Sequence, residues 1–120
     1  MNRKVLVVGS SAAEWQSIRF ILSRDEMTVD LALSCSESYD MISAHDYDLI
    51  IIDEAFEGFS QEHMLSKLRD SRLRVPILLL TGEEHADELI YSDGEIECRQ
   101  VTKPFSSDSL RKAVEQVVRS

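Results

Sequence analysis

Three short aliphatic runs set the strongest constraint on how this chain can fold. They occupy residues 5–8 (VLVV), 49–52 (LIII) and 77–80 (ILLL), and each is continuous rather than alternating with polar residues. Runs of this length are typical of parallel strands that helices cover on both faces of a sheet. With 120 residues, 43% of them hydrophobic, the chain is long enough to form one such core.

Helical patterns alternate with these strands. Ser11 with Glu14, and Ser34 with Glu37, have the capping-box spacing of a helix start. Further helices are predicted around Met64, Leu65 and Leu68, over residues 84–91 and at the C-terminus, and further strands over residues 27–33 and 96–101, the latter at a sheet edge. The C-terminal helix has an apolar stripe of Leu110, Ala113, Val114, Val117 and Val118. The pattern predicts an α/β fold: one domain, residues 1–120, with a doubly wound five-stranded parallel sheet flanked by five helices.

The charge balance argues against two classes of partner. Thirteen Lys and Arg against 22 Asp and Glu give a net charge of -9, which repels nucleic-acid phosphates and anionic membrane surfaces. We therefore expect no direct nucleic-acid or membrane binding. Cys35 and Cys98, without a secretory leader or a long apolar run, indicate a reducing compartment, so we expect a cytoplasmic protein.

Polar residues follow the strands where the binding crevice of such a sheet lies. They are Gly9-Ser10-Ser11, Asp53, Thr81 and Lys103-Pro104. A carboxylate, a hydroxyl and an ammonium at one sheet edge suit the acceptance of a phosphoryl group, because they supply a nucleophile, a hydrogen-bond donor and a counter-charge.

These residues resemble the motifs of response regulator receiver domains, and the resemblance covers the whole chain. The segment of residues 47–53 (YDLIIID) is similar to the receiver strand that ends in the phosphoacceptor, which implies that role for Asp53. Thr81 matches the switch hydroxyl, and Lys103-Pro104 matches the lysine motif, in which the peptide bond is usually cis. The resemblance implies Asp53, Thr81 and Lys103 as the catalytic set of a CheY-like, flavodoxin-like receiver in a two-component phosphorelay.

The chain also departs from the receiver pattern. Receivers place two acids after the first strand, and these bind Mg²⁺ together with the phosphoacceptor, but here Gly9 and Ser10 stand in those positions. Only Asp53 and the backbone of Ala55 remain as expected metal contacts, so Mg²⁺ binding should be weak and no cofactor is certain. Gln100 replaces the switch aromatic residue. We therefore expect an atypical receiver, a signalling module rather than an enzyme.

Two alternatives remain open. One is a conventional receiver that catalyses its own phosphorylation with Mg²⁺, and the other is a flavodoxin-like module that binds a small anion at Gly9, Ser10 and Ser11. Glu14 or Glu54 could replace a lost metal ligand, although the capping box explains Glu14 more simply.

The resemblance also implies a partner surface. Receivers use the face of the fourth helix, fifth strand and fifth helix, which here includes Tyr91, Arg99, Gln100 and Arg111. The expected partner is a histidine kinase or another signalling protein, with a homodimer as a further option. The chain is expected to be a stand-alone connector or a segment of a longer protein.

Overall fold

Six strands and three helices build the part of the chain that the computed structural model describes, which is residues 3–9, 11–53, 66, 75–82, 89–92 and 97–118. Their order is β1 (Arg3–Val8), α1 (Ala12–Ser23), β2 (Met27–Ala32), α2 (Cys35–Ala44), β3 (Leu49–Asp53), β4 (Ile77–Thr81), β5 (Leu89–Ser92), β6 (Glu97–Thr102) and α3 (Ser107–Val118). The helix expected around Met64, Leu65 and Leu68 lies outside the described residues, except for the helical Ser66.

The strands form one sheet in the order β2-β1-β3-β4-β6-β5. The first five strands in that order are parallel, which confirms the predicted five-stranded parallel sheet. Its three central strands are the three aliphatic runs, with Val8 opposite Ile52 and Ile52 opposite Leu79. The strand order changes direction between β1 and β3, and in such sheets the crevice at the carboxyl ends of these strands is the usual binding place.

Alternate residues of the central strands build two separate cores, one on each face of the sheet. On the first face, Ile18 and Leu22 of α1 and Val114 of α3 pack against the strands. On the second face, Ile42 of α2 packs against the other half of the strand residues. Burial on both faces explains why these strands are continuous in hydrophobicity rather than alternating.

The serine caps of the two predicted capping boxes are present at the starts of α1 and α2. The Ser11 hydroxyl accepts a hydrogen bond from the backbone N–H of Glu14 at 3.1 Å, and the Ser34 hydroxyl accepts one from Glu37 at 3.0 Å. Each satisfies one of the backbone donors that a helix start leaves unpaired. Because β1 ends at Val8, the cap at Ser11 fixes the first turn of α1 directly above the carboxyl edge of the sheet.

The far end of α1 is tied to α3. Arg111 donates from Nε and Nη2 to the two carboxylate oxygens of Asp25, at 3.0 and 2.9 Å. The hydrogen bond from Arg111 lowers the pKa of Asp25 below its ordinary value of 3.8. The Arg111 side chain, which was expected on the partner face, is therefore engaged with the end of α1.

Two predictions near the C-terminus are wrong. The helix expected over residues 84–91 does not extend to Tyr91, because Leu89–Ser92 forms β5, antiparallel to β6; residues 83–88 are outside the described part. The strand expected at an edge, Glu97–Thr102, lies between β4 and β5. The short run Leu89-Ile90-Tyr91 is rich in residues that favour strands, and pairing with β6 decides its conformation.

None of the helices in the described part of the chain combines the length and the apolar character that a membrane-crossing helix needs.

The interior position of β6 predicts that the thiol of Cys98 reacts slowly. Cys98 is fully buried in the second core, and burial raises the pKa of its thiol to about 12, whereas Cys35 at the start of α2 is partly exposed. In the variant Cys35→Ser we expect the remaining thiol to react with Ellman's reagent at least about a hundredfold more slowly than Cys35 does in Cys98→Ser. A fast reaction in Cys35→Ser would show that β6 is not packed into the core.

Candidate functional site

The carboxyl ends of four strands bring the candidate residues to one edge of the sheet. Gly9 follows β1, Asp53 ends β3, Thr81 ends β4 and Lys103 follows β6. The register places Asp53 opposite Leu80, and Thr81 opposite Thr102. These four positions, distant in the sequence, therefore lie at the same edge of the sheet, around one pocket, because parallel strands all present their carboxyl ends there.

An ion pair between Lys103 and Asp53 forms the centre of this pocket. The Lys103 ammonium donates to Asp53 Oδ2 at 3.0 Å, and the two side chains are only 28% and 13% exposed. The backbone also places the lysine, because its N–H donates to the Thr81 carbonyl at 2.7 Å. The Lys103–Pro104 peptide bond is cis, as expected. A lysine held at both its backbone and its head group is pre-organised to meet an anion at Asp53.

Glu14 is the residue of this pocket whose role the sequence reasoning missed. Its carboxylate lies 3.5 Å from the Lys103 ammonium and is 19% exposed. The capping box explained the glutamate by its backbone, and that backbone bond is present. The side chain reaches the pocket because α1 begins immediately after β1, the strand next to β3.

The charges of this pocket shift the pKa values of Glu14 and Lys103. Burial raises the pKa of Glu14 above its ordinary 4.5, and the hydrogen bond and negative charge of Asp53 raise it further, against the opposing effect of Lys103. Burial acts to lower the pKa of Lys103, yet the hydrogen bond and charge of Asp53, together with the charge of Glu14, outweigh it and raise the pKa above 10.5. Lys103 is thus a firmly charged counter-ion shared by two carboxyl groups.

Gly9 leaves a neutral position directly beside Asp53. Gly9 is buried, and a Cβ atom built on it would lie 3.6 Å from the Cβ of Asp53, which is an ordinary contact. A side chain at this position would therefore meet no clash at its Cβ atom. Ser10 and Ala55, the other positions of the expected metal site, lie outside the described residues.

The donor set of the described pocket does not fit Mg²⁺. The ion prefers near-octahedral oxygen coordination anchored by carboxylates. Here the carboxyl groups of Asp53 and Glu14 both contact the Lys103 ammonium, and the described residues contain no cluster of three or more Asp, Glu, His or Cys side chains suited to a metal. The Lys103 ammonium therefore places a positive charge at Asp53.

The remaining predicted residues lie around this centre. Thr81 is buried at the end of β4, and its carbonyl holds the Lys103 backbone. Gln100 is partly exposed on β6, opposite Leu79 of β4. The Ser11 hydroxyl accepts the helix-capping bond, so it is engaged within α1.

An open cleft adjoins the ion pair. Its volume is about 700 Å³, and it runs between α1 and the turn that leads into α3. Its walls combine the charges of the pocket with an apolar side, and they consist of Glu14, Ser17, Ile21, Lys103, Pro104, Phe105 and Ser107. Glu14 and Lys103 therefore lie at the boundary between the pocket and solvent.

Replacing Lys103 by glutamine tests whether its charge holds the pocket together. The variant Lys103→Gln should lower the free energy of unfolding at neutral pH by about 1–3 kcal/mol, since two neighbouring carboxyl groups lose a charged hydrogen-bond partner. Because folding raises the lysine pKa, this stabilisation is fully present below pH 10.5 and is lost as the pH rises through the raised pKa, so the difference should shrink there. Urea unfolding at several pH values measures it.

The exposed Lys112 of α3 offers the matched control. The variant Lys112→Gln should leave the free energy of unfolding nearly unchanged, because exposed charges contribute little. Equal effects of the two substitutions would contradict the role given to Lys103.

Comparison with known proteins connects this pocket to a family. The response regulator receiver domain family matches residues 5–115. The cell cycle response regulator CtrA of Brucella ovis is 29% identical over 116 residues, covering 97% of this chain and 50% of CtrA, so the chain spans about half the length of the curated relatives it matches. A receiver domain of Francisella response regulator 1452 superposes with a TM-score of 0.77, 25% identity and 98% coverage of both chains. CheY4 of Vibrio cholerae superposes with a TM-score of 0.77 and 23% identity, covering 98% of this chain and 99% of its own, which shows the shared fold. The match over residues 5–115 shows that this chain belongs to the response regulator receiver domain family.

Proposed function

We propose that this receiver domain is an atypical member of its family, which signals mainly through protein contact and undergoes little or no Mg²⁺-dependent phosphorylation at Asp53. One observation carries the proposal: the Lys103 ammonium, 3.0 Å from Asp53 and 3.5 Å from Glu14, supplies the positive charge in a pocket where neutral Gly9 adjoins Asp53. Phosphoryl transfer normally depends on a metal ion to neutralise the charge of the transferred group, and the described donor set is poorly suited to hold one.

The proposal gives each site residue a role. Asp53 keeps the phosphoacceptor position, but its resting role is the ion pair with Lys103. Ala55 would offer a backbone oxygen to any metal that binds weakly. Thr81 and Gln100 occupy the switch positions, and a switch is weakened because glutamine lacks the aromatic ring expected there.

Protein contact is the expected route of signalling. Receiver domains act as signalling modules that interact with histidine kinases and other signalling proteins. For this chain we propose the face that includes β5, β6 and α3, on which Arg99 and Gln100 are partly exposed. The same face would serve a homodimer. Both cysteines in the described residues are free thiols, which suits the cytoplasm as the proposed compartment.

The two alternative functions have less support. A conventional receiver would need a metal site that the pairing of Asp53 and Glu14 with Lys103 disfavours. A module that binds a small anion at Gly9, Ser10 and Ser11 would place that anion at the first turn of α1, where the Glu14 carboxylate repels it. The residues therefore favour the atypical receiver.

Restoring the acidic pair tests the proposal. In acetyl phosphate with Mg²⁺, an Asp53 oxygen would bond to phosphorus while the phosphorus–oxygen bond to the acetyl group breaks and acetate leaves. We expect the wild type to react slowly or not at all. The acid-restored variant, Gly9→Asp with Ser10→Asp, should react about tenfold faster or more, because two carboxylates return to the metal. Intact-protein mass spectrometry follows the added phosphate.

The variant Asp53→Asn in the acid-restored background controls for the site of reaction and should abolish the added mass. If the wild type is phosphorylated as fast as the acid-restored variant, the chain is a conventional receiver and the proposal fails. If neither reacts but the wild type binds inorganic phosphate tightly, the anion-binding module is the better description.

A further inference from the structure

Glu14 and Glu37 occupy the same position in two helices but have different surroundings. Each is the third residue of its helix, and each donates its backbone N–H to a capping serine, Ser11 or Ser34. Glu37 is exposed, whereas the Glu14 carboxylate is 19% exposed and contacts Lys103. Helix capping therefore accounts for the shared features and leaves the pocket contacts of Glu14 unexplained.

The Lys103 ammonium can donate only a small number of hydrogen bonds in this pocket. It has three N–H donors, of which one is directed to Asp53 Oδ2 and another to Glu14 Oε2. A phosphoryl group on Asp53 would carry anionic oxygens that need the same ammonium as their counter-charge.

The position of Glu14 is fixed by the rest of α1. Ile18, Ile21 and Leu22 anchor the helix in the first core, and Asp25 ties its end to Arg111 of α3. Burial and the neighbouring Asp53 raise the pKa of Glu14, so these surroundings disfavour its charged form. Lys103 is the group that favours the carboxylate there.

We propose that Glu14 is an internal competitor for Lys103: its carboxylate takes the ammonium donor that a phosphoryl group on Asp53 would use, and it thereby closes the pocket to phosphorylation. This inference rests on the proposed function, because it adds a second obstacle to the one created by Gly9 and Ser10. Glu14 acts through Lys103, so it is a positioning residue. If Glu14 instead replaced a lost metal ligand, its removal would slow phosphorylation rather than speed it, because the metal would lose a ligand.

The test uses the acid-restored variant, in which a metal can bind. We compare it with the same protein carrying Glu14→Gln or Glu37→Gln, with acetyl phosphate and Mg²⁺, by intact-protein mass spectrometry. Glu14→Gln should increase the phosphorylation rate about tenfold or more, because the Lys103 donor that Glu14 holds becomes available to the phosphoryl oxygens. Glu37→Gln removes the same charge at the same helix position and should leave the rate unchanged. Urea unfolding checks that both variants are folded.

A second comparison separates competition for Lys103 from a general effect of charge or structure. With Lys103→Gln added to the background, Glu14→Gln should no longer increase the rate, because there is no ammonium to release. An equal or lower rate with Glu14→Gln in the acid-restored variant would overturn the proposal, as would a gain that persists without Lys103. The proposed function has a separate test, which compares the phosphorylation rates of the wild type and the acid-restored variant. Both of these proteins keep Glu14.

Discussion

The ion pair between Lys103 and Asp53 is the interaction around which the candidate site is organised. The two residues lie fifty positions apart in the sequence, and their 3.0 Å contact requires that β3 and β6 end at the same edge of one parallel sheet. The bond from the Lys103 backbone to Thr81 then ties the lysine to β4, the strand between them. The ammonium held at this point contacts the carboxyl groups of both Asp53 and Glu14.

Much of this arrangement could be predicted from sequence. The aliphatic runs identified the central strands, and because parallel strands present their carboxyl ends together, Asp53 and Lys103 could be expected at one edge. The serine caps identified two helix starts from local spacing alone. These features depend on short-range patterns or on a single rule of topology, so they could be predicted from the sequence alone.

The features that were missed depend on tertiary contacts. The pairing of Leu89–Ser92 with β6 is decided by a neighbouring strand, so a short run compatible with helix or strand could not reveal it. Glu14 and Glu37 have the same local signature, and what differs is that α1 begins at the carboxyl end of β1, the strand next to β3, where the Glu14 side chain reaches Lys103. The contact of Glu14 with Lys103 could have been predicted from the helix cap at Ser11, three residues after the end of β1, taken together with the strand order.

We propose that Lys103, rather than a metal ion, is the counter-charge of Asp53. The most direct measurement is a titration of the ¹⁵N-labelled wild type with MgCl₂, following the amide signals of Gly9, Asp53 and Lys103 by NMR against an NaCl titration of equal ionic strength. The account predicts no saturable, Mg²⁺-specific shift at these residues through the millimolar range, because the described carboxyl groups already share an ammonium. A saturable shift at Asp53 with millimolar affinity would contradict it.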